Sequence, residues 1–298
     1  MKSNIKIGIL LFFIFKSCFL LYGQGYDDNF VDIYTNQPYN NDYYDYIVMK
    51  RDQNRVKTRY FAENYTSVES EYNTFKASNK SIICYAAAGY LGPGYNKVEN
   101  LTIENGVIIE RNLSKDRFDA LVIVYANGGV VVSDLRKGNL KLQGSNAPSH
   151  ALDIRNNTWD RTSFFAWCEA ERATVFQTHL LAHDGQFILP ANADTNSPNA
   201  GNRLRRFLIV GKDNNNKLKH LIINSRSDVL LRAGALKCYN FAKEVIGLNV
   251  SFMINLDTGA QNVFGVFDSR GNKFNGIKED QSSLPISKAH NLLVYYYD

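Results

Sequence analysis

The chain has 298 residues, with 34 lysines and arginines against 29 aspartates and glutamates. Three of the lysines (Lys2, Lys6 and Lys16) lie in an N-terminal segment that we expect to be removed, which leaves 31 basic residues against 29 acidic ones. This near-neutral balance excludes the broad basic surface that nucleic-acid binding requires. The run from Arg203 to Arg206 is the one basic cluster, and we interpret it as a solvated loop.

Residues 1–25 are typical of a secretory signal peptide. A basic start is followed by an apolar run over residues 7–22, and small residues follow at Gly23 and Gly25. A membrane-spanning helix needs roughly 20 apolar residues, whereas this run is shorter and is interrupted by Lys16. We therefore expect cleavage near Gly23 or Gly25, no membrane span afterwards, and a secreted, periplasmic or cell-surface protein.

The mature chain is expected to form one domain preceded by a short arm. Residues 26–45 are rich in tyrosine, asparagine and aspartate and contain little aliphatic material, which predicts an extended segment outside the core. Residues 46–298 show no internal repeat and no long linker. The aromatic content of 13% favours a folded domain there, because large apolar side chains offset the entropy of folding.

Short apolar runs separated by turns predict the fold class of this domain. Residues 46–49 and 81–85 are predicted strands, with a helix between Ser67 and Ala77. Three further pairs of apolar runs flank turn residues and predict hairpins, with turns at residues 104–106, 126–129 and 212–216. Successive hairpins favour an α+β fold with a mixed, largely antiparallel sheet and packed helices, rather than a parallel nucleotide-binding sheet.

A helix and a buried strand precede the most polar cluster of the sequence. Helical spacing of apolar residues predicts a helix that starts at Ser227 as its N-cap and stops at Gly247. Residues 250–254 then form an apolar strand, and polar side chains follow over residues 255–262. Sites often lie at the carboxyl end of such a strand. The alternative is a plain turn in which the Asp257 side chain bonds backbone amides.

Cysteines and histidines indicate no metal site, and the sequence leaves any cofactor unknown. Cys84, Cys168 and Cys238 remain after cleavage, and each stands in an apolar context, so one disulfide and buried free thiols are both possible. His179 and His183 are four residues apart, but no third ligand lies nearby in the sequence.

Five segments between residues 65 and 270 occur in a characteristic order. They are residues 84–91, residues 100–106, the strand with Gln177 and its following turn, Arg206 before residues 207–211, and the helix followed by Asn255-Leu256-Asp257. In this order they resemble the phosphodiester glycosidase family, which includes the lysosomal enzyme that uncovers mannose 6-phosphate signals and many secreted bacterial proteins. The resemblance implies a phosphodiester-glycosidase-like fold and hydrolysis of a sugar-1-phosphate diester in a glycan.

The resemblance also implies a set of site residues. A carboxyl group would handle a proton or orient water, and a guanidinium group would hold the phosphate. Asp257 and Arg206 match these catalytic positions. The implied substrate-binding residues are Gln177, Asn255, Thr258, Gly259 and Gly89. The partner is then a glycan or a sugar phosphate.

The chain departs from the family pattern at two motifs. Ala87 stands where the family has asparagine, and Thr258-Gly259-Ala260-Gln261 stands where the family has Gly-Gly-Gly-Ser. A side chain in place of glycine restricts the backbone and the approach of a ligand. Three hypotheses therefore stay open: a secreted phosphodiester glycosidase, a catalytically degenerate glycan-binding or envelope-associated module of the same fold, and a structural surface protein.

Overall fold

A computed structural model describes residues 25–51, 54–78, 80–92, 94–114, 117–196, 201–259, 261–274, 276–278 and 283–298. The predicted signal peptide, apart from Gly25, lies outside the described residues. In the part of the chain that is described, no helix is long and apolar enough to cross a bilayer.

The described part of the chain contains seventeen strands and four α-helices. The strands are β1 (Gly25–Asp27), β2 (Val31–Tyr39), β3 (Asp42–Lys50), β4 (Val56–Ala62), β5 (Ser81–Ala86), β6 (Thr102–Glu104), β7 (Val107–Glu110), β8 (Ala120–Val124), β9 (Val130–Asp134), β10 (Thr174–Thr178), β11 (Leu180–His183), β12 (Gln186–Phe187), β13 (Arg206–Lys212), β14 (Leu218–Ser225), β15 (Asn249–Leu256), β16 (Phe264–Val266) and β17 (Asn291–Tyr297). The helices are α1 (Val68–Ala77), α2 (Thr158–Ala170), α3 (Ala193–Asn196) and α4 (Leu231–Glu244).

The strands form three sheets. The largest has eight strands in the order β1-β2-β3-β14-β13-β15-β11-β12, a second has five in the order β7-β6-β10-β8-β9, and a third has four in the order β16-β5-β17-β4. All strand pairs among the described residues are antiparallel. The fold is α+β, as the hairpin pattern predicted, and its sheets are antiparallel.

One central core joins the three sheets, and one long helix covers the outer face of each. The central core takes side chains from all three sheets, including Met49, Phe176 and Leu293. Helix α4 packs on the outer face of the eight-stranded sheet, α2 on the five-stranded sheet and α1 on the four-stranded sheet. Because both faces of each sheet are covered, many strands are continuous apolar runs rather than alternating ones.

The tyrosine-rich segment belongs to the large sheet, in contrast to the predicted extended arm. Strands β2 and β3 pair along their length, and β3 continues the sheet onto β14. Val31, Ile33 and Tyr44 are buried in the core. The physical reason is alternation: Val31 and Ile33 stand two residues apart and share the inner face of the strand, although the segment as a whole is polar.

Helix α4 starts later than predicted, because a distant carboxylate caps it. The Asp194 carboxylate accepts hydrogen bonds from the Arg232 amide at 2.7 Å and the Ala233 amide at 3.1 Å. The residues after Ser227 stay extended, since Val229 bridges to Arg203. Ser227 is therefore not the N-cap, and the negative charge that favours the helix start comes from α3.

All three described cysteines are buried free thiols. Cys84 lies in the central core, Cys168 on the buried face of helix α2 and Cys238 on the buried face of helix α4. Burial raises the pKa of each thiol above its ordinary value, which disfavours the reactive thiolate. Of the two readings of the cysteines, free thiols are the one that the structure shows.

Candidate functional site

Polar side chains converge where the three sheets meet. His179 lies between β10 of the five-stranded sheet and β11 of the eight-stranded sheet. Asn255 and Asp257 lie at the carboxyl end of β15, and Tyr90 follows β5 of the four-stranded sheet. Arg205 directly precedes β13. We treat this group as the candidate site.

Asp257 is a buried carboxyl group within a turn. It is 4% exposed, and its Oδ1 accepts a hydrogen bond from the Gly259 amide at 2.8 Å. Burial raises the pKa of Asp257 above its ordinary value, while the Gly259 amide, the Gln261 side chain and the charges of Arg206 and Arg203 oppose that rise. The carboxyl therefore holds a proton more readily than a solvated aspartate does.

The side-chain amide of Asn255 is held through its nitrogen alone. Its Nδ2 donates to the Tyr90 hydroxyl and to the Leu256 carbonyl. Its Oδ1 is buried and has no hydrogen-bond partner among the described residues. A buried acceptor without a donor costs about 1–3 kcal/mol, so this atom marks a place where a ligand or a water molecule can donate.

His179 presents a second acceptor beside Asn255. The main-chain amide of Asn255 donates to the main-chain carbonyl of His179 at 3.2 Å, which makes the two residues neighbours across adjacent strands. The His179 ring is 7% exposed and lies edge-on to the rings of Tyr90 and Phe118, with centroids 5.3 and 4.7 Å away. Burial, together with the charges of Arg117 and Arg205, lowers the pKa of His179 to about 3. The ring is neutral at physiological pH, and its Nε2 has no partner among the described residues.

Arginine charges surround these groups. Arg205 is 2% exposed and donates to the carbonyls of Gly201 and Val229. Its positive charge interacts electrostatically with the side chains of Tyr90, His179 and Asp257. Arg117 also acts on Tyr90 and His179 and forms an ion pair with Glu99 at 3.2 Å. Arginines in a partly desolvated site favour an anionic ligand.

Arg206 lies on the other face of the sheet. It pairs with Leu256, which packs in the central core, and its guanidinium carbon is 4.0 Å from the centroid of the Phe264 ring. Its donors bond Asn224 Oδ1 at 3.0 Å, Asn262 Oδ1 at 3.1 Å and the Asp257 carbonyl at 3.5 Å. Arg206 thus contacts the main chain of Asp257, while Arg205 lies on the side of Tyr90 and His179.

Gln177 holds a loop. It is 1% exposed, its Oε1 accepts from the Ser114 amide at 3.0 Å, and its Nε2 donates to the Phe118 carbonyl at 3.0 Å. Because Phe118 packs on His179, Gln177 positions one wall of the site rather than standing at its centre.

Gly89, Thr258 and Gly259 shape the backbone around Asp257. The Gly89 amide donates to Asn291 Oδ1 at 2.7 Å, and its carbonyl accepts from Gln261 Nε2 at 2.7 Å. The Thr258 hydroxyl donates to the Leu204 carbonyl at 2.7 Å. Gln261 therefore links Asp257 to the segment that carries Tyr90.

Tyr90, His179, Arg205 and Gln261 were not predicted as site residues. The basic run that contains Arg205 was interpreted as a solvated loop, yet Arg205 is 2% and Arg206 0% exposed. One feature of the sequence points to their burial. The arginines directly precede a strongly apolar strand, and residues next to a buried strand are buried with it. Within the described ranges, His, Cys, Asp and Glu side chains form no group of three that could hold a metal ion.

Solved structures resemble this chain at very low sequence identity. No family profile and no curated protein matches the sequence. A hypothetical protein from Synechocystis has a TM-score of 0.51 at 9% identity; the match covers 93% of this chain and 64% of that one. The catalytic domain of zebrafish N-acetylglucosamine-1-phosphodiester alpha-N-acetylglucosaminidase, auto-inhibited by its pro-peptide, has a TM-score of 0.47 at 11% identity, covering 93% and 82%. The similarity to the Synechocystis protein shows a shared fold and leaves activity to the site.

Proposed function

We propose that this chain is a secreted hydrolase of sugar-1-phosphate diesters, with Asp257 as the residue that handles the proton. The observation that carries the proposal is the Asp257 carboxyl itself, buried at the end of β15 with a raised pKa and flanked by arginines. A carboxyl with a raised pKa is suited to give a proton to a leaving oxygen near neutral pH. The resemblance of the segment Asn255-Leu256-Asp257 to the phosphodiester glycosidase motif supports the same assignment.

The arginines supply the complementary half of the chemistry. A phosphodiester carries one negative charge, which gains from guanidinium groups in a site of low dielectric. Arg203 and Arg205 act on Asp257 through their charge, and Arg205 also acts on Tyr90. In the proposed complex the phosphate lies on the Arg203 and Arg205 side, with the scissile bond next to Asp257. On the other face of the sheet, Arg206 stabilises this arrangement by donating a hydrogen bond to the Asp257 carbonyl.

A second candidate function is glycan binding without turnover. It is favoured by the bonds that Asp257 already makes: its carboxyl accepts from the Gly259 amide and contacts the Gln261 side chain. These bonds stabilise the ionised form and hold the carboxyl in a turn. Ala87 also lies fully buried in an apolar cluster, so it contributes no polar group to the site.

One comparison separates the two functions. Methyl α-D-glucose-1-phosphate and methyl N-acetyl-α-D-glucosamine-1-phosphate diesters are incubated with the protein, with Asp257→Asn and with Asp268→Asn, a control in a turn outside the candidate site. Hydrolysis predicts sugar release by the parent and by the control, and a loss of about 10²–10⁴-fold in Asp257→Asn. Binding of both diesters without release by any of the three proteins would instead establish the glycan-binding alternative.

A further inference from the structure

Two buried acceptors face the same part of the candidate site. Asn255 and His179 are cross-strand neighbours, and Leu180 and Ile254 beside them both pack in the central core. Since side chains alternate along a strand, Asn255 and His179 lie together on the opposite face. Both also contact Tyr90, through its hydroxyl and its ring.

What these side chains can bind depends on which of their free atoms donate and which accept a hydrogen bond. Asn255 Nδ2 is used by Tyr90 and Leu256, so the orphan atom is the carbonyl Oδ1. Nε2 is the His179 ring nitrogen without a partner among the described residues, and the main chain of Arg117 favours the protonated ring. We therefore assign the ring proton to Nδ1 and a lone pair to Nε2. Both orphan atoms are therefore acceptors in residues more than nine-tenths buried.

Two acceptors on the same face of the sheet exclude most ligand groups. Phosphate and carboxylate oxygens offer only lone pairs and would be repelled. Ammonium groups would meet the charges of Arg117 and Arg205, which already act on His179. Neutral O–H donors remain, and hydroxyl groups on neighbouring carbons of a sugar present two such donors close together. A hydroxyl that displaces water here keeps the hydrogen bonds that water would make.

We infer that Asn255 Oδ1 and His179 Nε2 form a subsite for neighbouring hydroxyl groups of the bound sugar, one hydrogen bond being donated to each atom. This inference rests on the proposed function, because it takes the ligand to be a sugar. It assigns the sugar ring to the Asn255 and His179 side and leaves the phosphate to the arginine side. Both are positioning residues: they select the sugar and fix its orientation relative to Asp257.

The test uses sugar probes that lack one hydrogen-bond donor and keep the shape of the parent sugar. The probes are methyl α-D-glucose-1-phosphate and derivatives in which one hydroxyl at a time is replaced by fluorine, which cannot donate a hydrogen bond. Binding is measured calorimetrically with the protein, with His179→Phe and with His150→Phe, an exposed-histidine control. We expect fluorine at one or two adjacent positions to weaken binding by about 10–100-fold in the protein and the control. In His179→Phe, which keeps an aromatic ring against Tyr90, one of these penalties falls to about threefold or less.

The outcomes separate this inference from the proposed hydrolysis. Uniform binding of all fluorinated probes within about threefold would overturn the subsite even if the diester is hydrolysed. Hydroxyl-dependent binding without hydrolysis would support the subsite and refute the hydrolase. Failure of every probe to bind would overturn the subsite. Should His179→Phe not fold, ¹⁵N NMR of the histidine-labelled protein replaces it: the Nε2 resonance is expected to start as an unprotonated nitrogen and to shift with the parent probe, and an unchanged resonance would contradict the inference.

Discussion

A buried carboxyl group makes the stability of this protein depend on pH. Glu104 is 7% exposed and lines a cleft of about 450 Å³ together with Glu71 and Arg59. Its Oε2 accepts from the Ala62 amide at 2.9 Å, and its Oε1 is 3.6 Å from Arg59 Nη2. Burial raises the pKa of Glu104 from 4.5 to about 7, and the neighbouring Glu71 carboxyl adds to this rise against the opposing effects of the Ala62 amide and Arg59.

The direction of the effect follows from which state holds the proton more tightly. The folded protein keeps Glu104 protonated up to about pH 7, whereas the unfolded chain releases that proton near pH 4.5. The stabilisation is thus complete below pH 4.5 and is lost as the pH rises to about 7. At about 1.4 kcal/mol for each pH unit, the loss approaches roughly 3 kcal/mol.

The variant Glu104→Gln removes this titration while keeping an acceptor for the Ala62 amide. Urea unfolding of parent and variant is measured between pH 4.5 and 8, and the difference between their free energies of unfolding is compared, because titrations shared by both proteins cancel in it. We expect the variant to gain roughly 2–3 kcal/mol relative to the parent across this range. Glu69→Gln, on the same helix as Glu71 but outside the cleft lining, is the matched control. A constant difference for Glu104→Gln would refute the reasoning.

Three further predictions concern stability. Neutral His179 has a pKa of about 3 in the folded protein, so its contribution is retained above pH 6.5 and lost as the pH falls towards 3; His179→Gln should flatten that loss in acid unfolding, and an unchanged slope would contradict it. Gly128 and Gly271 have φ values of +79° and +77°, but an added Cβ would meet the Thr58 amide at 2.9 Å only at Gly128. Thermal unfolding should therefore show Gly128→Ala to be about 1–3 kcal/mol more costly than Gly271→Ala, and equal costs would refute the close approach. Arg206→Lys should lose roughly 2–4 kcal/mol in urea unfolding, since a lysine cannot reach its three acceptors together; a loss below about 1 kcal/mol would argue against this role.

Local chemistry explains which parts of the fold could be predicted. The hairpin at Asn105 and Gly106 was found because both residues adopt positive φ, 49° and 82°, as the sequence pair predicts. Helix α2 was not assigned, although Phe164, Trp167 and Cys168 have helical spacing and Asn157 caps its start. Its partners lie in β6, β8 and β10, which are distant in the sequence. Of the two tryptophans on this helix, Trp167 is buried and Trp159 is exposed.

The site was only partly predictable, because strand register decides which face a residue occupies. Asn255 and Asp257 could be singled out, since polar residues at the end of a buried strand are visible in the sequence. The choice between Arg205 and Arg206 could not be made without knowing that Arg206 pairs with Leu256. A shift of one residue would exchange their faces. Tyr90 follows a strand of the four-stranded sheet, and His179 links the five-stranded sheet to the eight-stranded one, so their approach to Asn255 depends on tertiary packing.

The location of a bound sugar phosphate tests the central claim most directly. A crystal structure of the protein with α-D-glucose 1-phosphate should show the phosphate against Arg203 and Arg205. The sugar hydroxyls should point to Asn255 Oδ1 and His179 Nε2, with the anomeric oxygen nearest to Asp257. Ligand density in the cleft of Glu71 and Glu104 instead, or a sugar turned with its phosphate towards His179, would contradict the account.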